Sequence, residues 1–287
     1  MAGSKQTFQV LEDNISGKDQ TIWFHCASLG EFEQGVPVMH SLKKSHPNHK
    51  IIVSFFSPSG YENKKNTSIA DVVVYLPLDT KRNARRFIQQ VHPSLVFFVK
   101  YEFWPNYLTE LKRQEIKTYL ISGAFRKEQL FFKSYGGVMR RALESFDHFF
   151  LQDLVSKELL QTIGITNTSV SGDTRFDRVS QQITMDNTLD FIARFKKDHT
   201  CIVCGSIWEE DQDLLLEYIN QVPKHIKCII APHAIDTSRV LALKNKIKKQ
   251  SVLYSQSIAK GNMDPIDTAQ VFIIDTVGLL AKIYSYA

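Results

Sequence analysis

Short apolar runs rich in β-branched and aromatic residues alternate with longer stretches of helical period along most of the chain. Residues 21–26 open the pattern, and the amphipathic stretch 31–44 follows it. Further runs at 50–56, 71–76, 94–99, 117–121 and 148–151 predict strands, with helices near 80–91, 107–114 and 155–163 between them. Strands that are apolar on both faces and give way to helices predict a parallel sheet covered on both sides. A polar, helix-like segment at 180–198 then precedes a second series. Its strands are predicted at 200–204, 226–231, 251–254 and 270–275, its helices near 209–222 and 236–249, and a closing helix over 277–287. The boundary falls near 177–181, which gives domains at 1–179 and 180–287. At roughly 30 residues per βαβ repeat the second domain holds about four strands, fewer than a full doubly wound sheet, so it reads as incomplete.

Composition narrows the class without naming a function. Hydrophobic residues make up 43% of the 287 and charged residues 23%, which excludes disordered, collagen-like and coiled-coil chains. Cys26, Cys201, Cys204 and Cys228 are too few to staple a chain of this length, and they fit a reducing compartment. No run approaches the roughly 20 apolar residues that span a bilayer, so the chain is expected to be soluble or at most peripheral. The net charge of +5 is too modest to mark a nucleic-acid surface, and no nucleic-acid motif accompanies it.

The polar residues cluster where strands end. In His25-Cys26-Ala27-Ser28-Leu29-Gly30-Glu31 a strand turns through small residues into a helix, which puts Glu31 at the carboxyl edge of the sheet, where ligands of open α/β sheets bind. Glu31 equally suits the helix dipole, and Ser28 an N-cap. Tyr101-Glu102-Phe103-Trp104-Pro105 follows another strand and sets a second carboxylate on that rim, unless Pro105 simply opens a helix over packed aromatics. Between 124 and 141, Phe125, Arg126, Phe131, Phe132 and Lys133 interleave rings with cations. Such a strip suits an anionic amphiphile or a membrane interface, or else a half-buried helix with solvated charges. Arg175, in a turn after Gly172, is placed to meet developing negative charge or to pair locally.

In the second series, Gly205-Ser206 after a strand offers backbone amides and a hydroxyl to a phosphate, provided Glu209, Glu210 and Asp211 point outward. Pro232-His233 and Thr276-Val277-Gly278 follow two further strands, and three consecutive polar strand ends indicate a nucleotide cleft. Neither GxGxxG nor GxxxxGK[ST] occurs, which argues against dehydrogenases and P-loop enzymes. Cys201 and Cys204 have CxxC spacing inside an apolar strand, where burial is the simpler reading.

Several long motifs in order resemble the 3-deoxy-D-manno-octulosonic acid (Kdo) transferases of lipid A biosynthesis, in their Bacteroidetes-like form. They are His25 to Gly35, Phe55-Phe56-Ser57-Pro58-Ser59-Gly60-Tyr61, Tyr75-Leu76-Pro77-Leu78-Asp79-Thr80, Val99 to Trp104, and Gly172 to Val179. The resemblance implies a GT-B glycosyltransferase of two Rossmann-like domains, the first for a lipid A precursor (lipid IVA) and the second for CMP-Kdo. It implies inverting, metal-independent transfer with CMP-Kdo as donor substrate and no cofactor, at the cytoplasmic face of the inner membrane. Glu31 corresponds to the general base, and Glu102 to the second acid of the acidic Trp-Pro motif. Lys100 stands where many relatives carry another acid, and Arg175 where a Lys is more usual. Donor contacts carry over to Ser206, Pro232, His233, Val277, Gly278 and Leu279, the last in place of a Glu. The family's N-terminal anchor and final donor loop have no counterpart, which reads as a fragment. Transfer from another nucleotide sugar, or a non-catalytic lipid-binding remnant, are the alternatives.

Overall fold

The six apolar runs of the first half become strands in the computed structural model, which describes residues 3–287, and an unpredicted seventh joins them: β1 (Gln20–Cys26), β2 (His49–Phe55), β3 (Val72–Tyr75), β4 (Pro93–Val99), β5 (Lys117–Gly123), β6 (His148–Leu151) and β7 (Thr168–Val170). They pair in parallel in the order β3-β2-β1-β4-β5-β6-β7. The helices are α1 (Gly3–Asn14), α2 (Leu29–Ser45), α3 (Pro58–Lys64), α4 (Lys81–Val91), α5 (Pro105–Arg113), α6 (Gly137–Leu143), α7 (Leu154–Gln161) and α8 (Thr174–Thr184).

Alternation along β1 sorts its side chains to two cores. Ile22, Phe24 and Cys26 pack with Phe32, Val36 and Met39 of α2. Trp23 faces the other way, toward Leu11 of α1, Phe87 of α4, Tyr107 and Leu111 of α5, and Leu143 of α6. A strand's period of two puts His25 on the Trp23 side, and it is fully buried there.

The chain divides after Val179. The second unit contains α9 (Asp190–Lys196), β8 (Thr200–Ile207), α10 (Glu209–Gln221), β9 (Ile226–Pro232), α11 (Thr237–Lys246), β10 (Ser251–Leu253), α12 (Asp264–Thr268), β11 (Val271–Ile273) and α13 (Leu280–Ile283). Its strands run parallel in the order β10-β11-β9-β8. Leu216 and Ile219 of α10 and Val240 and Leu243 of α11 fill one face. Ile192 and Phe195 of α9, Ile266 of α12 and Ile283 of α13 fill the other.

Three expectations change. The single helix at 180–198 is two, because α8 ends at Thr184 and α9 starts only at Asp190. The closing helix over 277–287 shrinks to α13 and one 3-10 turn, Tyr284–Tyr286. The Gly172 turn runs directly into α8, so Arg175 lies in a first helical turn. Among the described residues no helix is long and apolar enough to cross a membrane.

Candidate active site

Strand order in the first sheet reverses between β1 and β4, and the crevice outside their carboxyl ends is where such sheets take ligands. Glu31 stands beyond β1, in the first turn of α2. Ser28 occupies the N-cap position, but its hydroxyl caps no amide and is directed at the Glu31 carboxylate instead. Glu31 is only 7% exposed, and Lys100 Nζ, from the end of β4, lies 4.0 Å from its Oε1. Lys100 itself sits in the left-handed region at φ 71°, a conformation that costs an L-residue about 1 kcal/mol. Its ammonium also rests over the Tyr101 ring.

Glu102 accepts from the Trp104 indole at 3.1 Å, and His25 Nε2 is 3.7 Å away. Burial raises the proton affinity of Glu102, but His25 and the Trp104 N–H outweigh it and hold the carboxyl below its ordinary range. Burial, with the charges of Glu31 and Glu102, pushes the Cys26 thiol well up, so both acids act on one buried sulfur. The Asp79 carboxylate accepts from the backbone N–H of Asn106 and of Tyr107, fixing the start of α5 and with it the Trp104 corner. An open groove lined by Tyr101, Glu102, Phe103, Trp104, Leu130 and Met139 leads away from this corner.

Arg175 is 65% exposed and spends its guanidinium on Asp173, 2.5 Å away, the local pairing that the sequence left open. Asp173 also accepts from Gln34 Nε2 at 2.9 Å, and Thr174 Oγ1 donates to Gln34 O at 2.6 Å, so this turn is tied to the helix that carries Glu31. Neighbouring Glu33 is pushed up by burial and pulled down further by Lys64 and Arg178, leaving it below the usual carboxylate range.

The aromatic–basic strip requires a correction. Phe125 and Phe131 are 5% and 3% exposed and join Phe103, Phe146 and Phe149 in one aromatic cluster, so their rings are core and do not face a lipid. Phe132 packs half-buried against the same core, Lys133 is half-buried, and Arg126 is exposed. Arg140 is anchored inward on the Phe131 and Lys133 carbonyls. The apolar residues that do face outward are Leu130, Tyr135 and Val138, with Phe56 and Leu78 on the loops after β2 and β3.

In the second unit Ser206 is left-handed at φ 56°, and its hydroxyl lies 2.8 Å from His233 Nδ1. The Trp208 indole stacks on the His233 ring with centroids 3.8 Å apart. Pro232 is half-buried, ending β9 beside them. Glu209, Glu210 and Asp211 are exposed; Glu209 meets Arg239, and Asp211 accepts from the Trp208 N–H. Two of the acids thus stay at the strand end: Asp211 holds the first amide after β8, and Glu209 shares a small cavity with Trp208, Pro232 and His233. Val277 is exposed and Gly278 left-handed at φ 91°, whereas Leu279 packs into the core below. A Cβ on Gly205 would collide with the Tyr284 hydroxyl, so this turn is built directly on the 3-10 segment. Sequence reasoning missed His25 as a partner of Glu102, Lys100 as a partner of Glu31, and Trp208 as a partner of His233, because each pair comes from different strand ends.

Among solved structures, the chain is similar to a UDP-GlcNAc 2-epimerase from Neisseria meningitidis (TM-score 0.61, 14% identity, 92% of this chain and 74% of that one). It is also similar to a putative UDP-N-acetylglucosamine 2-epimerase from Listeria monocytogenes (TM-score 0.60, 12% identity, 94% and 72%). At these identities the likeness establishes the fold, the GT-B class of paired Rossmann-like domains. In sequence it is 24% identical to a bifunctional glycosyltransferase/methyltransferase of Fusobacterium nucleatum over 98% of this chain and 43% of that protein. It is 24% identical to the 3-deoxy-D-manno-octulosonic acid transferase of Chlamydophila psittaci (98% and 65%) and 23% to that of Aquifex aeolicus (96% and 71%). The chain thus spans less than two thirds of the length of the first two. The family model for 3-deoxy-D-manno-octulosonic-acid transferase (kdotransferase) matches residues 3–178, across the whole Glu31–Glu102 rim, and the chain belongs to that family.

Proposed function

We propose that the protein is a glycosyltransferase moving Kdo from CMP-Kdo to a lipid A precursor such as lipid IVA, in lipopolysaccharide biosynthesis. The observation that carries this is the buried Glu31 carboxylate at the sheet's switch point, paired with Lys100, whose neighbour Tyr101 opens a groove lined by rings and by Asp79, Glu102 and Glu128. Glu31 takes the proton of the acceptor hydroxyl as its oxygen attacks the anomeric carbon of Kdo. A new C–O bond forms, the bond to the CMP phosphate breaks, and CMP leaves with the electron pair, inverting the anomeric centre. No metal takes part in this scheme. Glu102, kept ionised by its indole and imidazole neighbours, supports the positive charge that develops on the sugar.

The second unit holds the donor. Ser206 and the backbone of its turn take the phosphate, His233 stacked on Trp208 lies against the nucleotide, and Pro232, Val277, Gly278 and Leu279 shape the remaining wall. The acceptor lies in the first unit, where exposed Phe56, Leu78, Leu130, Tyr135 and Val138 suit acyl chains at a membrane surface. On this reading the protein works peripherally at the cytoplasmic face of the inner membrane. Incubation with CMP-Kdo and lipid IVA should release CMP and yield a Kdo-bearing lipid by mass spectrometry. Transfer from a UDP or GDP sugar with CMP-Kdo inert would overturn the donor assignment, and acceptor binding without any turnover would favour a lipid-binding remnant.

A further inference from the structure

The first unit contains a line of buried polar groups that the transfer scheme leaves unused. Trp23, Ser54 and His25 are all fully buried, on β1 and β2, with Trp23 and His25 on the same face of the sheet. An indole N–H can only donate, so the Trp23 Nε1 contact of 2.8 Å makes Ser54 Oγ an acceptor. The hydroxyl has a single proton to give in return, and His25 Nδ1 lies 2.9 Å from the oxygen. That proton has no other acceptor among the contacts of Ser54, so donation to Nδ1 satisfies it and leaves the imidazole proton on Nε2.

That Nε2 is buried without a hydrogen-bond partner, and buried donors are rarely left so. The carboxylate facing it is Glu102, whose Oε2 is 3.7 Å away and already accepts from the Trp104 indole. The Trp104 and Phe98 rings stand edge-on to the imidazole, so its plane is walled in place. A movement of Glu102, which lines the adjoining groove, by about 1 Å closes the gap to an ordinary charge-assisted bond.

We propose that Trp23, Ser54 and His25 form a positioning chain that locks the Nε2–H tautomer of His25 and aims it at Glu102, fixing where that carboxylate stands in the groove. Through Ser54, a residue of β2 with no surface of its own sets the geometry of an acid on the loop after β4. Its consequence for turnover rests on the transferase reading above; the tautomer itself does not.

The test uses the chain labelled with 15N-histidine, His25 being assigned by comparison with His25→Gln. The expected long-range 1H–15N pattern is an unprotonated Nδ1 and a protonated Nε2. Ser54→Ala should shift His25 toward a tautomer mixture and Ser54→Thr, which keeps the hydroxyl, should not. A protonated Nδ1 in the unaltered chain, or a pattern indifferent to Ser54→Ala, overturns the proposal. In transfer assays Ser54→Ala should lower kcat about tenfold to a hundredfold with little change in KM, and Ser54→Thr should restore it. Equal behaviour of the two variants overturns the positioning role. The expected tautomer with no transfer in any variant would instead sink the transferase reading and leave the chain of bonds standing.

Discussion

At the end of β1 a small-residue turn delivers a carboxylate that is almost wholly enclosed and answered by a lysine, whereas at the end of β8 a similar turn delivers an open hydroxyl–imidazole pair under an indole. Both turns begin a helix, and both neighbourhoods include a left-handed residue, Lys100 in one and Ser206 in the other. The difference lies in what surrounds the polar atoms. The first rim has Trp104, His25 and Lys100 pressed against two acids. The second has its acids exposed, with Glu209 answered by Arg239 and Asp211 held on the Trp208 N–H, beside the Ser206–His233 pair. One edge encloses its charge and the other leaves its polar atoms open, with the same strand–turn–helix unit beneath each.

The contrast is most open to attack at Glu31. Glu31→Gln should lower transfer about 10³-fold while CMP binding by calorimetry stays within about twofold, because the amide keeps the shape and loses the base. Turnover near the unaltered rate would erase the assigned division of labour. Next in size is Phe131→Ala, which opens a cavity in the aromatic cluster under the first rim and should cost about 3 kcal/mol in denaturant unfolding. Exposed Tyr135→Ser should cost about 0.5 kcal/mol or less. His233→Ala removes both the Ser206 contact and the Trp208 stack, and should weaken CMP about tenfold without altering the first unit's unfolding. An unchanged CMP affinity would move the anion seat elsewhere.

The smallest effect concerns acid. Glu110, on the helix that fixes the Trp104 corner, is lowered to about 2, chiefly by the Arg113 hydrogen bond and then, against burial, by Gln114 and Arg85. Its folded proton affinity is depressed, so its contribution to stability is complete above the ordinary value of 4.5 and disappears as pH falls toward about 2. The difference in Tm between the unaltered chain and Glu110→Gln should therefore shrink across that window. Asp267 in the second unit, lowered to about 2 by Arg194, is more exposed, and its neutral variant should show a weaker pH dependence.

What the sequence made legible is what depends on neighbours along the chain. The run at 21–26 and the small-residue turn before Glu31 locate β1 and its helix because strand period and turn chemistry are local. β7 was not legible: three half-exposed residues, Thr168, Ser169 and Val170, have no apolar alternation to show. α8 was masked by the Gly172 turn, although Phe176, Val179 and Ile183 recur at helical spacing. The fate of Phe125 and Phe131 depended on Phe103 and Phe146 arriving from other elements, and interleaved cations argued for the surface. The same holds for the site: Glu31 and Glu102 stood out at strand ends, but their partners Lys100 and His25 meet them only once β1 and β4 lie side by side.

The closeness of Gly205 to Tyr284 has a consequence for how the protein is made. During synthesis β8, which carries Gly205 and Ser206, leaves the ribosome before Tyr284 does, so this end of the strand first lacks the later segment that packs against it. The first rim, by contrast, draws its groups from β1, β2 and β4 and is complete early in translation. The acid-bearing edge is thus assembled while the Ser206 edge is still without one of its supports.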